Sequence, residues 1–286
     1  AATTSINDDT PLSAVIVTPT LTAVTADNNL APVTVITREQ IERSNALDVS
    51  ELLRFVAGVE LGSNGSYGKV ASVFIRGADS DHTLVLINGT PINGDNFGIA
   101  RLEFINTADI ERIEIVKGPR STQYGSQAIG GVINIITRKA QKGGHGEIAI
   151  GFGPDQTVQA SAKASYRGKN LLASAQFNRV ETAGYNIHDG SSLDYGYDNN
   201  NYGGTLGWYF SPQHFVTITR DQTDATAEFY NFTPTTKGVT DVDSYRNALD
   251  YQVQLSQAWH MQAFVQQQSA DYLTGTSLVT DDVTQL

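Results

Sequence analysis

The C-terminal half of the chain alternates apolar and polar residues with a period of two, and this pattern most constrains the fold. One run has apolar residues at Val158, Ala160, Ala162, Ala164 and Tyr166, with Gln159, Ser161, Lys163 and Ser165 between them. Similar runs occupy residues 171–178, 249–256 and 259–265. Side chains of a β-strand point alternately to its two faces, so the pattern predicts strands with one apolar and one hydrophilic face.

The links between these runs differ in length. The stretches "YRGKN" and "FSPQH" are predicted to be short turns, whereas residues 181–204 and 221–247 are predicted to be long links. Amphipathic strands of about ten residues joined in this way are typical of a transmembrane, antiparallel outer-membrane β-barrel, with lipid outside and water or a plug inside. The alternative is a soluble β-sandwich with one wet face.

Composition limits the partners and the chemistry. The formal net charge of -11 argues against nucleic acid, because phosphate binding relies on clustered Lys and Arg. The chain has no cysteine and no apolar stretch near the roughly 20 residues that a spanning helix requires. Its histidines are scattered and no nucleophile elbow occurs, so we expect neither an enzyme nor a catalytic cofactor.

Residue usage divides the chain into three parts, at residues 1–29, 30–140 and 141–286. The first is rich in Thr, Asp, Asn and Ala and is predicted to be a mobile tail. The opening stretch "AATTSINDDT" favours a mature exported N-terminus. A short β-branched run, residues 13–18, interrupts the tail; it could form a strand of this protein's own fold or add to the sheet edge of another protein.

The middle part mixes helix and strand signals and is predicted to be an α+β domain. Thr37 and Gln40 predict a capping box that begins a short helix. Asp48 is expected to cap a second helix, which Gly58 ends. The Asn88-Gly89 pair predicts a tight turn between two strands.

A glycine-rich loop, "KGPRSTQYGSQAIGG", leads into the apolar strand "VINIIT". Gly125 and Gly130 have the spacing of a phosphate-binding loop. However, Gly131 and Val132 stand where a lysine and a hydroxyl residue are required, and a strand follows where a helix should begin. We therefore assign these glycines to positive φ angles and close packing instead of nucleotide binding.

These segments carry a family resemblance. The run "VFIRG…HTLVLINGTPI…IERIEIVKGPRSTQYGSQAIGGVINIIT" resembles the plug, or hatch, domain of the TonB-dependent outer-membrane receptors. The stretch "LLRFVAGVE" stands where that family usually has LLRxxPGV, with Ala57 in place of Pro; Asn88 and Lys117 depart from the usual Asp and Arg. Within the family, the N-terminal "VIVTPT" and the spacing are most similar to cobalamin receptors.

The resemblance implies a tail (1–29) with a TonB box, a plug (30–140) and N-terminal barrel strands (141–286), in the outer membrane of a Gram-negative bacterium. The TonB box would consist of Ser13, Ala14, Val15, Ile16, Val17 and Thr18. It would pair with TonB on the periplasmic side. The residues after Lys139 suffice for seven or eight strands, whereas enclosing a plug takes about 22. We therefore expect the remaining strands to come from another chain or segment.

The resemblance also implies energy-coupled uptake of a bulky, scarce nutrient, with cobalamin as the first candidate. The expected substrate contacts in two plug loops are Asn64, Ser66, Tyr67, Asn93, Asp95, Asn96 and Phe97. Their polar groups and aromatic rings suit hydrogen bonding and stacking of a bulky ligand. A ferric siderophore or haem receptor is one alternative, and a non-transporting binding or interaction fragment is another.

Acidic residues on the two long links form a candidate metal site. The aspartates concerned are Asp189, Asp194, Asp198, Asp221 and Asp224. Carboxylate oxygens are the ligands that calcium prefers, and cobalamin receptors use loop aspartates in this region to hold calcium. Solvated loop charge is the alternative. Charged plug residues are in turn expected to hold the plug against the barrel wall through ion pairs; these are Arg76, Glu111, Arg112, Glu114 and Arg120.

Overall fold

The computed structural model describes residues 15–16, 24–25, 33–94, 98–232, 235–256, 259–275 and 277–285. Apart from two short N-terminal strands, these residues form a mixed α/β plug (residues 33–140) and an eight-stranded sheet, the wall sheet (residues 143–285). No helix in the described ranges is both long and apolar enough to cross a membrane.

The N-terminal strands β1 and β2 are two residues each, and the plug elements follow them. In chain order these are β1 Val15–Ile16, β2 Val24–Thr25, β3 Val33–Thr37, α1 Arg38–Ser44, α2 Val49–Leu53, β4 Val59–Ser63, β5 Ala71–Ile75, β6 Thr83–Ile87, β7 Thr90–Pro91, β8 Ile110–Lys117, α3 Ser121–Tyr124 and β9 Gly131–Thr137. Two 3₁₀ helices, Ser80–His82 and Leu102–Phe104, lie between strands. The five-stranded plug sheet has the order β3-β8-β9-β6-β7, in which only β6 and β9 run parallel.

The local signals near the start of the plug are confirmed. Thr37 accepts a hydrogen bond from the Gln40 backbone, and the Gln40 side chain accepts one from the Thr37 backbone, which completes the capping box. Asp48 caps α2 by accepting from the Glu51 backbone N–H. Helix α2 is shorter than predicted, because it ends at Leu53 and the chain turns through residues 54–57 before Gly58.

The plug core lies where the central strands pair. Ile113 faces Ile135 and Ile115 faces Ile133 across β8 and β9, and all four side chains are at most 1% exposed. Burying a side chain of this size contributes about 1.5–3 kcal/mol. The Asn88-Gly89 turn is confirmed: both residues have positive φ, and β6 pairs with β7 directly across it.

The wall sheet is an antiparallel meander in which each strand pairs with the next. Its strands are β10 Gly143–Phe152, β11 Val158–Arg167, β12 Leu171–Thr182, β13 Tyr197–Ser211, β14 His214–Tyr230, β15 Lys237–Gln254, β16 His260–Thr274 and β17 Ser277–Gln285. The predicted short turns are confirmed at residues 168–170 and 212–213. The loops between β12 and β13 and between β14 and β15 lie at the other end of the sheet, which we call the loop end.

The prediction of a long link over residues 221–247 is wrong. Strands β14 and β15 run through it, and their ladder extends to the pair Tyr230 and Lys237. The segment alternates small apolar and polar residues, so it can continue the ladder and satisfy its backbone groups there. The first predicted link is also shortened, to residues 183–196.

The two faces of the wall sheet have different surroundings. Leu206, Trp208 and Phe210 of β13 point away from the plug and remain 63%, 45% and 67% exposed. Tyr197 and Asn199 of the same strand point towards the plug and are at most 3% exposed. The period-two pattern is therefore confirmed as an apolar outer face and a plug-facing inner face.

Candidate functional site

The plug packs against the wall sheet through an apolar cluster near the loop end, which we call the seam. Leu47 and Phe104 of the plug contribute to it. The wall residues buried with them are Val180, Tyr197, Ala225, Ala227 and Val242. The small alanines of β14 leave room for the Phe104 ring, so the 3₁₀ helix Leu102–Phe104 is seated directly on the wall.

Side chains of the wall also hold the plug backbone by hydrogen bonds. The Tyr197 hydroxyl donates to the Glu103 carbonyl (2.9 Å), and the Asn199 side-chain amide donates to the Phe104 carbonyl (3.1 Å). Further along the wall, the Gln266 amide donates to the Pro91 carbonyl (2.9 Å). The seam thus joins apolar packing to buried hydrogen bonds, which fixes the plug in one position.

Ion pairs between plug and wall involve other residues than expected. Lys163 of β11 pairs with Asp109 of the plug, and both side chains are 15% exposed. By contrast, Arg112 pairs with Glu114 inside the plug, at 10% and 0% exposure. The expectation that Arg112 and Glu114 hold the plug against the wall is therefore wrong for this pair, because the two side chains lie two residues apart on one face of β8 and pair with each other.

Two carboxyl groups are buried behind the seam. Asp48 is 3% exposed and Glu103 is 1% exposed. Burial raises the pKa of Asp48 to about 7, helped by repulsion from Glu51 and Glu103, although hydrogen bonds from Ser50 and the Glu51 backbone oppose the rise. Burial likewise raises the pKa of Glu103, and Arg101 at 2.5 Å opposes it.

The loop between β4 and β5, the apical loop (residues 64–70), reaches the loop end of the wall. The Ser66 hydroxyl donates to the Tyr195 carbonyl (2.9 Å), and the ring of Tyr67 meets Tyr185 edge to face at 6.1 Å. Gly68, with φ +70°, passes so close to Tyr197 that a Cβ would lie 2.2 Å from its ring. The wall loop 183–196 and the apical loop therefore form one packed surface.

The predicted substrate residues fall into three groups. Asn64 is exposed, whereas Ser66 is 5% exposed and Tyr67 is half-buried under the wall loop. Asn93 is 4% exposed, and its amide bonds the backbone of Val85, Thr83 and Gly98, so its described contacts are structural. The remaining three, Asp95, Asn96 and Phe97, lie outside the described residues.

Lys69 is a residue of this surface that sequence reasoning missed. It is 6% exposed, and its ammonium donates to the Tyr67 carbonyl at 2.7 Å. Burial lowers the pKa of Lys69 to about 8, while Glu228 opposes this. Glu228 is itself held by Lys237 at 2.6 Å. A lysine directly after a glycine-rich loop was the available signal.

The predicted calcium ligands do not come together as one set. Asp189 and Asp194 are exposed on the wall loop, and Asp198 is on β13, paired with Arg179 at 2.6 Å. Asp221 and Asp224 lie three residues apart on β14 and so point to opposite faces. One ion therefore cannot contact all five. Calcium binding by a subset stays a prediction.

Other acidic groups lie close together elsewhere. Asp198 and Asp224 line a cleft of about 410 Å³ on the outer face, together with Asp241, Asp243 and Asp271. Within the described ranges, a single trio of His, Asp or Glu side chains has its ligand atoms within 4.8 Å of one another, namely Asp79, Asp81 and His82. Both sets are solvent-facing, which also fits plain solvated charge.

The predicted TonB box is described only in part. Val15 and Ile16 form β1, which pairs antiparallel with β2, placing Val15 opposite Thr25 and Ile16 opposite Val24. Ser13, Ala14, Val17 and Thr18 lie outside the described residues. Val15 and Ile16 thus adopt the extended conformation that strand addition requires, here against a segment of their own chain.

The amino-acid sequence of the chain is similar to that of known proteins. Residues 25–132 match the TonB-dependent Receptor Plug Domain family. The chain is 33% identical over 219 residues to the vitamin B12 transporter BtuB of Vibrio vulnificus strain YJ016, covering 76% of this chain and 36% of that protein. It is 37% identical over 176 residues to BtuB of strain CMCP6, covering 60% and 28%. The chain thus spans 36% or less of these relatives' length.

Solved receptors share the fold. The ferripyoverdine receptor of Pseudomonas aeruginosa, bound to ferripyoverdine, superposes with a TM-score of 0.75 at 15% identity, covering 94% of this chain and 40% of that one. The siderophore receptor PirA of Pseudomonas aeruginosa gives 0.69 at 23% identity, covering 88% and 43%. At these identities the likeness establishes the arrangement of plug and wall strands, and nothing about the ligand.

Proposed function

Because the chain belongs to the family of TonB-dependent outer-membrane receptors, we propose that it is the plug-bearing part of a receptor for cobalamin. The receptor takes up this ligand across the outer membrane with energy delivered through TonB. Relatives that are 33% and 37% identical are vitamin B12 transporters, and this favours cobalamin over an iron chelate. Receptors of this family transport their ligands and are not enzymes.

One observation carries the proposal: a plug seated on the inner face of a sheet whose outer face is apolar. Leu206 and Phe210 face outward where lipid would lie, while the seam fills the space behind β13. The apical loop and the wall loop 183–196 meet at the loop end, where a ligand would arrive first. Their aromatic rings and amide groups suit a large ligand with many hydrogen-bonding groups.

Ligand identity is tested with the full-length receptor in outer-membrane vesicles. We expect saturable binding of cobalamin, strengthened by calcium if a subset of the aspartates holds the ion, and no binding of ferric siderophores or haem. Binding of an iron chelate without cobalamin binding would overturn the assignment of the ligand while leaving the family intact. Absence of any uptake, with a plug that still folds, would favour a non-transporting fragment.

Energy coupling is tested separately at β1. Ile16→Pro removes a backbone donor and restricts φ, so β1 can no longer pair as a strand with TonB. Cobalamin uptake should fall to the level of cells lacking TonB, while cobalamin binding stays unchanged. The matched control is Ile16→Val, which keeps the β-branched side chain and should transport normally. Full uptake by the proline variant would exclude β1 as the coupling strand.

A further inference from the structure

A group of buried carboxyls lies between the plug and the wall. Asp48 begins α2 and Glu103 lies in the 3₁₀ helix that is seated on β13 and β14. Glu103 uses one oxygen for Arg101 at 2.5 Å, whereas its Oε2 is buried and makes no hydrogen bond to the described residues. A buried oxygen without a hydrogen bond is costly, and burial raises the pKa of Glu103, although Arg101 opposes the rise.

Four titratable groups on four elements interact with Asp48. These groups are Glu51 on α2, Glu103 on the 3₁₀ helix, Tyr67 on the apical loop and Tyr197 on β13, and Arg101 is the cation next to Glu103. Arg101 is shared, because its guanidinium also stacks over Phe104 (5.2 Å) and Tyr272 (4.8 Å). Asp48 therefore has two carboxyl neighbours and no cation within ion-pair distance among the described residues.

We propose that Asp48 makes the docking of the plug on the wall depend on a proton. With Asp48 protonated, the carboxyl group stays buried behind the seam and the plug is seated on β13 and β14. When Asp48 loses the proton, its negative charge faces Glu51 and Glu103 in a site that water does not reach. The repulsion is relieved when the seam opens and admits water.

The direction of the pH dependence follows from the burial of Asp48. The docked state holds the proton more tightly than a solvated aspartate does, since burial raises the pKa of Asp48 to about 7 from its ordinary 3.8. Docking is therefore strongest when the pH lies below 3.8, the ordinary pKa of aspartate. It weakens as the pH rises from there towards 7, and it is weakest above pH 7. Asp48 accepts its capping hydrogen bond from the Glu51 backbone N–H, and an ionised carboxylate can accept the same bond, so α2 itself need not unfold.

A single introduced thiol can report on the seam, because the chain contains no cysteine. Ala225 is 5% exposed and packs in the seam with Phe104. The rate at which a maleimide labels Ala225→Cys in the full-length receptor measures how often the seam opens. It is compared in three backgrounds: the native sequence, Asp48→Asn and Asp48→Ser. Asn and Ser both remain good helix caps but cannot ionise.

We expect the labelling rate in the native background, divided by that in Asp48→Asn, to rise about tenfold between about pH 6 and about pH 8. The ratio removes the pH dependence of the thiol itself. Asp48→Ser should behave like Asp48→Asn. As a control, Glu39→Gln removes an exposed carboxylate on α1 and should follow the native background. A ratio that stays constant with pH would overturn the proposal, as would a ratio of Asp48→Ser to Asp48→Asn that rises with pH as steeply as the native one. Neither result bears on which ligand is transported.

Discussion

At the residue scale, a comparison of two glycines distinguishes the need for a positive φ angle from the need for close packing. Gly68 and Gly77 both have positive φ, at +70° and +78°. A Cβ at Gly68 would lie 2.2 Å from the Tyr197 ring, whereas a Cβ at Gly77 would meet no atom within 4 Å. The apical loop therefore needs glycine at position 68 for close approach to the wall as well as for its φ angle.

Replacing each of these glycines by alanine should separate the two effects. Gly77→Ala carries backbone strain alone and should lower the free energy of plug unfolding by about 1 kcal/mol. Gly68→Ala adds a clash with the Tyr197 ring and should cost about 1–3 kcal/mol more. Denaturant unfolding of the plug measures both. Equal losses for the two variants would mean that the Tyr197 ring moves aside freely.

At the element scale, the 3₁₀ helix Leu102–Phe104 is the part of the plug that anchors it to the wall. Its carbonyls at Glu103 and Phe104 accept hydrogen bonds from β13, and its Phe104 ring fills the seam. This short element lies between β7 and β8, so it holds the plug sheet at a fixed height on the wall. A three-residue helix has little stability of its own, and the wall supplies the packing that defines it.

Phe104→Ala should weaken the packing of the plug against the wall. Phe104 is 5% exposed, and loss of a buried phenylalanine ring typically costs about 3–5 kcal/mol. We expect the plug to become sensitive to protease at a lower denaturant concentration. Phe55→Ala is the matched control, because Phe55 is 84% exposed and its loss should change little. If both variants resisted protease equally, the seam would not be what retains the plug.

At the scale of the whole molecule, two ion pairs link plug and wall: Lys163 with Asp109, which are both 15% exposed, and the more exposed pair of Arg138 with Glu147. Lys163 also donates to the Arg138 carbonyl at 2.9 Å. Strand β11 therefore contacts the plug close to the segment that connects the plug to β10. Charge-assisted contacts with little exposure are worth more than surface pairs, because water screens them less.

A double-mutant cycle measures this link. Lys163→Gln and Asp109→Asn, singly and together, should give a coupling energy of about 1–3 kcal/mol in plug unfolding. The same cycle on the exposed pair Arg43 and Glu39, at 74% and 72% side-chain exposure, should give about 0.3–0.5 kcal/mol. Similar values for the two pairs would contradict a role for Lys163 in holding the plug.

Much of the fold could be read from local patterns. The capping box at Thr37, the cap at Asp48 and the Asn88-Gly89 turn were predictable because each depends on residues at most three positions apart. The wall strands were predictable because alternation reports directly on which face each side chain occupies. The extent of β14 and β15 was not, since polar residues at strand ends have the same composition as loops.

The functional surface was predictable only in outline. The sequence pointed to the apical loop, but Ser66 is buried against a wall loop more than a hundred residues away along the chain. The five aspartates looked like one metal site while they were assigned to loops, and strand pairing then put Asp221 and Asp224 on opposite faces. The predicted contacts of Arg112 and Glu114 with the wall were wrong for the same reason. The pairing of the folded strands decides which charged side chains meet, and these two pair with each other within the plug.

The sequence by itself determined the class of the fold: a plug with its caps and turns, followed by amphipathic strands that need lipid on one face. Those features follow from side chains and backbone groups that are close along the chain. Only the tertiary structure decided which plug atoms touch the wall, and therefore where charge is buried at Asp48, Glu103 and Lys69. Burial is a property of the packed molecule, so the electrostatics of the seam exist only once plug and wall have come together.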